Sequence, residues 1–275
     1  MKKITIICGP TASGKTNYAF ELAKQNNGII INADSRQLFK DIQIISASPD
    51  AHMKSRVQHY LYNFLESRAS YNVANYIDDV AKILKHTDAE NIYIVGGTGM
   101  YIDALIKGIA HIPDIPAEER DKLRIRQQIT SNTAIYEELR LLDPETRLMP
   151  NDTQRILRAY EVVKYTGKTL KFWQENSQQK GVLSDYHHET KVIIPERSVL
   201  YDNCNTRFLQ MLDVGGIEEV RALKNPSLQI MNAIGVSQIM NYLNDKISYD
   251  EMVSDAQTKT RQYAKRQVTW FRKTL

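Results

Sequence analysis

Gly9-Pro10-Thr11-Ala12-Ser13-Gly14-Lys15-Thr16 satisfies the pattern G-x-x-x-x-G-K-[ST] at every fixed position. Gly9 and Gly14 let the backbone curl so that successive amide N–H groups point inward at phosphate oxygens, and the dipole of a following helix adds to that attraction. Lys15 supplies a mobile positive charge, and Thr16 a hydroxyl for a magnesium ion that the phosphates also bind. The flanks supply the context that makes a chance match rare. Ile4 to Cys8 is a short apolar, β-branched run ending at glycine, and Thr16 to Lys24 carries apolar residues at helical spacing. The motif asks for two linked phosphates and a magnesium ion. Taken alone it favours nucleotides such as ATP, but any substrate with that geometry fits it.

Further along, Gly28 to Ile31 leads into Asn32-Ala33-Asp34-Ser35, and Asn91 to Val95 leads into Gly96-Gly97-Thr98-Gly99. Three strands that each deliver a polar or glycine-rich loop, with helical patterns such as Val73 to Leu84 between them, predict an α/β fold, a P-loop NTPase-like parallel sheet wound by helices. Ligands bind at the carboxyl ends of such strands, so the three loops are expected to face one crevice, with Asp34 beside the phosphate loop. Ile112-Pro113-Asp114-Ile115-Pro116 reads as a linker into a small helical insertion domain, residues 114–150, holding helical segments Ala117 to Ile129 and Ala134 to Leu142. Residues 1–113 and 151–275 would form the catalytic core. Pro150-Asn151-Asp152 offers a capped start to a helix that closes near Gly167. Lys191 to Ile194 reads as the chain rejoining the sheet, with helices following from Val199 to Leu212 and from Tyr249 onward.

A chain of 275 residues can bury a full core, and its 42% apolar and 25% charged residues argue against disorder or a fibrous architecture. No apolar run approaches the roughly 20 residues that cross a bilayer. The start, Lys2 and Lys3 followed by a short apolar run, lacks a cleavage-type tail. A cytoplasmic protein without a membrane partner is expected, acting as a monomer. Cys8 and Cys204 are far apart in sequence and lack a C-x-x-C partner, so both read as packing residues. The net charge of +4 says little, but its distribution says more. Lys259, Arg261, Lys265, Arg266, Arg272 and Lys273 fall in one acid-free stretch interleaved with Tyr263, Trp270 and Phe271. Cations among aromatics suit an RNA backbone and unstacked bases; equally, such a stretch suits a final amphipathic helix with one packed and one solvated face.

Asp34 ends the second strand, where a carboxylate could bind magnesium, activate a hydroxyl, take a proton from an amine, or cap the following turn. Five segments then carry a resemblance: Gly9 to Thr16, Asp34-Ser35-Arg36-Gln37, Gly96-Gly97-Thr98-Gly99-Met100-Tyr101, Pro150 to Arg155, and Tyr263 to Arg272. In this order, over nearly the whole chain, they resemble the tRNA dimethylallyltransferases. The resemblance implies transfer of the dimethylallyl group from dimethylallyl diphosphate to the exocyclic amine of the adenosine 3′-adjacent to the anticodon, with Mg2+ as cofactor and the anticodon stem-loop as partner. It further implies that Gly9, Pro10, Thr11, Ala12, Ser13, Gly14, Lys15 and Thr16 hold the diphosphate and that Thr16 meets the metal. Asp34 would be the general base and Arg207 the cation on the leaving diphosphate. Asp34, Ser35, Arg36, Gln37, Thr98 and Arg120 would contact the target nucleotide region, and Gln154, Arg155, Ile156, Leu157 and Arg158 the anticodon loop. The insertion would clamp that loop while the base flips out. His59 reads as structural.

Three departures from the family pattern stand out. Residues 44–49 read Ile-Ile-Ser-Ala-Ser-Pro, without the usual glycine and lysine; Gly235-Val236-Ser237 lacks an aromatic and a cation; and Asn203 stands where an arginine is common. A small-molecule kinase, an adenylate prenyltransferase and a non-catalytic RNA-binding module are the competing readings. The first leaves the basic C-terminal segment unexplained, the second does not need a clamp, and the third gives Asp34 and Arg207 no work.

Overall fold

Residues 2–177, 179–224 and 226–275 are described by a computed structural model. Two compact units divide the chain, one running to Ile106 and resuming at Val182–Leu275, the other spanning Lys107–Gly181. The first unit opens with β1 (Lys3–Cys8), α1 (Lys15–Gln25), β2 (Ile29–Asn32), α2 (Ala51–Arg56), β3 (His59–Tyr60), α3 (Val73–His86), β4 (Asn91–Gly96) and α4 (Gly99–Lys107). The second unit holds α5 (Ala117–Thr130), α6 (Asn132–Leu142), α7 (Thr153–Thr166) and α8 (Leu170–Asn176). The first then resumes with a short 3-10 turn (Val182–Asp185), β5 (His188–Val192), α9 (Arg197–Asp213), α10 (Gly216–Arg221), α11 (Leu228–Met231), α12 (Val236–Leu243) and α13 (Tyr249–Thr274).

The strands form one parallel sheet in the order β3-β2-β4-β1-β5. Alternation across the pleat sends Ile4, Ile6, Ile31, Ile92 and Ile94 into a core with Tyr76, Val80, Tyr101 and Phe271. Ile7, Ile30, Tyr93 and Val95 face the other way, onto Ala19, Phe20 and Ala23 of α1. Successive apolar residues such as Ile6-Ile7, Ile29-Ile30-Ile31 and Ile92 to Val95 are therefore what two covered faces require. The last strand differs from expectation. It occupies His188–Val192 rather than 191–194, because its register is set by pairing Ile4 with His188 and Cys8 with Val192. An edge strand with one solvated side tolerates the polar residues that disguise it in the sequence.

Beyond β5, the helices build a second core that the sequence pattern does not disclose. Phe208, Met211, Val220, Ile230, Val236, Ile239 and Met252 close around Phe39, Ile42 and Ile45 from the loop after β2. Glu219 anchors that loop, its carboxylate accepting the N–H groups of Ile44 at 2.8 Å and Ile45 at 2.9 Å.

The helical unit is wider than residues 114–150. Its core joins Leu123 of α5 and Ile135 and Leu139 of α6 to Ile156, Ala159, Tyr160 and Val163 of α7, so the chain does not return to the catalytic core at residue 151. The apolar face of α7 has its partners in α5 and α6, and this decides the boundary. Asp152 caps α7 and Gly167, at φ 69°, ends it, as the sequence indicates.

Candidate active site

The phosphate loop turns through two left-handed residues, Ala12 at φ 62° and Gly14 at φ 82°. Such alternation makes a concavity of backbone N–H groups at the start of α1. Ala12 adopts this conformation despite its Cβ, a local cost on the order of 1 kcal/mol. Within the loop Ser13 is buried and its Oγ has no hydrogen-bond partner among the described residues, and the buried Lys15 ammonium donates to the Pro10 carbonyl at 3.2 Å. An orphaned hydroxyl and a sequestered cation at a helix N-terminus match the oxygens of a phosphate. The Lys15 pKa is lowered to about 8, chiefly by burial and in smaller part by the charge of Arg207, with Asp34 and Cys8 opposing.

The sheet order means that β2 does not neighbour β1; β4 lies between them. Asp34 stands at the phosphate loop because β4 ends in Gly96-Gly97. A Cβ at Gly96 would collide with the Ala33 carbonyl, and one at Gly97 would press on the Gly9 carbonyl at 3.2 Å and on Gln267. Two residues without side chains let the flanking loops close over the end of β4. Asp34 is held in its own turn, its backbone N–H donating to Asn32 Oδ1 at 2.8 Å and its Oδ1 accepting the Arg36 N–H at 3.0 Å. The turn-capping role considered for Asp34 is thus real, and it occupies one carboxylate oxygen.

Arg207, half-buried on α9, donates to the Thr11 hydroxyl rather than pairing with Asp202. Burial lowers its pKa, with Cys204 and Asp34 opposing, and the guanidinium stays charged at any physiological pH. Thr11, Asp34 and Arg207 line a cavity of about 240 Å3 whose other walls include Ile45, Phe208, Met211 and Ile234. Two larger clefts, of about 530 and 450 Å3, lie at Lys24, Arg56 and His86 and at Lys3, Tyr18 and Lys191. Neither touches the phosphate loop, so the smaller cavity, where Asp34, Arg36, Arg207 and Arg266 converge, is the candidate site. Among the described residues no cluster of three or more His, Cys, Asp or Glu could cage a metal ion. A magnesium ion held mainly by phosphate oxygens needs only one protein oxygen, and Thr16 carries one.

The remaining sequence-derived candidates separate. Thr98 Oγ1 accepts the Ser35 N–H at 3.0 Å, tying the Asp34 loop to α4. Gln37 is buried and donates to the carbonyls of Ser46 and Ala47, which makes it a brace for the 44–49 loop. Arg36 reaches the Gln229 carbonyl and lines the cavity. In the helical unit, Arg120 is committed to the Ile115 carbonyl, at 2.8 Å from Nη2. Gln154, Arg155 and Arg158 are exposed, with Arg155 and Arg158 paired to Asp152 and Glu161. Ile156 is a correction: it is fully buried in the unit's core and withdrawn from any RNA, while Leu157 packs at the edge of that core. Cys8, its thiol pushed up to about 12 by burial, and Cys204 are buried and unbonded, as packing residues are. His59 bonds the Val57 carbonyl through Nδ1 and stacks edge-on against Tyr62, a structural arrangement. The departures also find their place: Ile45 and Val236 are core residues, and Asn203 donates to the Ala12 carbonyl at 3.3 Å. Tyr263 and Arg266, read in the sequence as members of the basic segment and of the last family-like motif but given no place in the cavity, both line it.

A parallel sheet with a phosphate-loop sequence, a carboxylate and an arginine around one part-apolar cavity is the architecture of a phosphate-loop enzyme. The family model of IPP transferase matches residues 37–274. A tRNA dimethylallyltransferase of Rickettsia bellii is 39% identical over 98% of this chain and 88% of its own length. The crystal structure of a tRNA delta(2)-isopentenylpyrophosphate transferase from Staphylococcus epidermidis superposes with a TM-score of 0.65 at 30% identity, covering 98% of this chain and 90% of that one. A eukaryotic dimethylallyltransferase acting on tRNA shares the fold, with a TM-score of 0.80 at 24% identity over 98% of this chain and 70% of that one. The chain belongs to the IPP transferase family, and it is a prenyltransferase.

Proposed function

We propose that this chain transfers the dimethylallyl group from dimethylallyl diphosphate to the exocyclic N6 amine of the adenosine 3′-adjacent to the anticodon, giving N6-isopentenyladenosine and diphosphate. The observation that carries the residue roles is the convergence of Thr11, Asp34 and Arg207 on one cavity with apolar walls, next to the buried Lys15. The loop Gly9 to Thr16 binds the diphosphate through the backbone N–H groups at the start of α1, the Ser13 hydroxyl and the Lys15 ammonium. Asp34 accepts a proton from the adenine amine, whose lone pair is delocalised into the ring and needs that help as the bond to carbon forms. Arg207 and Lys15 stabilise negative charge that grows on the departing diphosphate, which lowers the barrier more than it tightens substrate binding. A magnesium ion bound with the diphosphate at Thr16 adds further charge neutralisation. Exposed cations of α13, and Arg155 and Arg158 of the helical unit, hold the anticodon stem-loop. The protein acts as a monomer in the cytoplasm; no helix among the described residues is long and apolar enough to cross a membrane.

The test is mass spectrometry of tRNA after incubation with the protein, magnesium and dimethylallyl diphosphate, followed by nuclease mapping. One dimethylallyl group on the adenosine beside the anticodon is the expected product. Modification of free adenylate in preference to tRNA, or stoichiometric ATP hydrolysis, would overturn this reading.

A further inference from the structure

Within the basic stretch of α13, Gln267 is an uncharged residue buried to 6% exposure between exposed Lys265 and Arg266 on one side and exposed Thr269 on the other. It shares the buried helix face with Ala264 and Phe271, three before and four after it. Packing alone would be served by leucine or methionine there. Instead the amide spans two loops: Oε1 accepts the Thr11 N–H at 2.8 Å, and Nε2 donates to the Gly97 carbonyl at 2.7 Å. Gly97 lacks a Cβ where one would strike Nε2, so the chain leaves room for this contact. Thr11 is also the residue whose hydroxyl receives Arg207. Its N–H is therefore withdrawn from the phosphate-binding set and used to fix the orientation of its side chain.

We propose that Gln267 is a positioning residue for the diphosphate site. By holding Thr11 from behind, it sets where the phosphate loop stands against the Gly96-Gly97 turn and where Thr11 presents its hydroxyl to Arg207. The bond to Gly97 is buried and the bond to Thr11 part-buried, so removing the amide strands a buried acceptor and leaves the Thr11 N–H without its holder, and the loop relaxes to satisfy them. The effect falls on diphosphate binding and leaves the RNA-facing cations of the same helix in place.

The inference rests on the phosphate-loop reading above, and the experiment separates the two. Calorimetric titration of inorganic diphosphate with magnesium is carried out on the full chain, wild type and Gln267→Met, alongside tRNA affinity and thermal melting. Methionine keeps the length and bulk of the side chain while deleting both bonds. The expected result is a dissociation constant for diphosphate at least about tenfold weaker, the size of one lost buried hydrogen bond, with tRNA affinity within about twofold of wild type. In turnover assays the Michaelis constant for the prenyl diphosphate rises by a similar factor. Should Gln267→Met fail to fold, Gln267→Glu, which keeps an acceptor for Thr11 and loses the donor to Gly97, is read by the same criteria. A folded variant that binds diphosphate as wild type does, or that loses tRNA and diphosphate affinity equally, overturns the proposal. If wild type binds no diphosphate, the phosphate-loop reading itself falls, and the inference with it.

Discussion

Lys15 carries the clearest pH signature in the site. In the ligand-free chain its pKa lies at about 8, lowered by burial. A bound diphosphate favours the ammonium, so above pH 8 binding must take up a proton. Affinity for magnesium diphosphate should be level below about pH 7 and weaken by up to tenfold per unit as pH rises past 8. Titrations across that range measure it, and a profile that stays level to pH 9 would show that Lys15 does not meet the phosphates. The folding counterpart has the opposite sense. Between pH 8 and 10.5 the unfolded chain binds the proton that the folded chain has released, so this residue's contribution to stability rises with pH in that window. For Asp34 the expectation concerns rate. Asp34→Asn should preserve tRNA affinity and lower turnover by at least about a hundredfold, the usual size of a positioned base; near wild-type turnover at saturating substrates would remove it from the mechanism. Asparagine can still accept the Arg36 N–H that Asp34 Oδ1 accepts here, so the turn should survive.

At the scale of elements, the end of β4 and the length of α13 do most to shape the site. Gly96→Ala would drive a Cβ into the Ala33 carbonyl, which belongs to backbone and cannot swing aside. The loops of β2 and β4 must then part. Thermal denaturation should show a loss of several kcal/mol, on the order of the larger overpacking penalties, and Asp34 should lose its place. A melting curve matching wild type would mean that the sheet end is softer than its packing implies. Helix α13 serves two ends at once. Met252, Ala256, Ala264 and Phe271 pack inward, while Lys265, Arg266, Arg272 and Lys273 stay exposed. One face of the helix is therefore a packing face, as one reading of the basic segment expects, and the cations lie on the solvated side. Arg266 lines the cavity and lies over the Tyr263 ring, so Arg266→Ala should lower the salt dependence of tRNA binding by about one in the logarithmic slope. Arg158, paired with Glu161, should lower it less. Titrating labelled tRNA at several salt concentrations reads both, and an unchanged slope in Arg266→Ala would leave α13 a packing helix only.

For the whole molecule, the division into two units has a direct consequence. The chain enters and leaves the helical unit along paired backbone, with His111 N–H donating to Ser177 O at 2.9 Å and Gln179 N–H to Ile109 O at 3.0 Å. Gly108, at φ 82°, allows that pairing, since a Cβ there would collide with the Gln179 carbonyl. Residues 108–180 can therefore be replaced by a short linker without stretching the sheet. The excised protein should melt cooperatively and bind magnesium diphosphate with an affinity close to wild type, while its tRNA affinity falls by at least about tenfold through lost phosphate contacts. Retained tRNA affinity would place the RNA grip on α13 alone.

The phosphate loop, its flanking strand and helix, the sheet strands β2 and β4, and the caps of α7 were all legible from residue order, because each depends on contacts within a few positions along the chain. Asp34 and Arg207 were legible through the pattern of motifs. Distances across the chain could not be read that way. Parallel strand order put β4 between β1 and β2, so that two glycines, not direct adjacency, bring Asp34 to the phosphate loop. Packing of α7 against α5 and α6 moved the unit boundary to Lys107–Gly181 and buried Ile156. Gln37, Glu219 and Gln267 look like ordinary polar residues until folding brings backbone groups from distant loops to within 2.7 to 3.1 Å of them. A buried polar side chain acquires its role from the partner it meets, and that partner is chosen by topology rather than by neighbours in sequence.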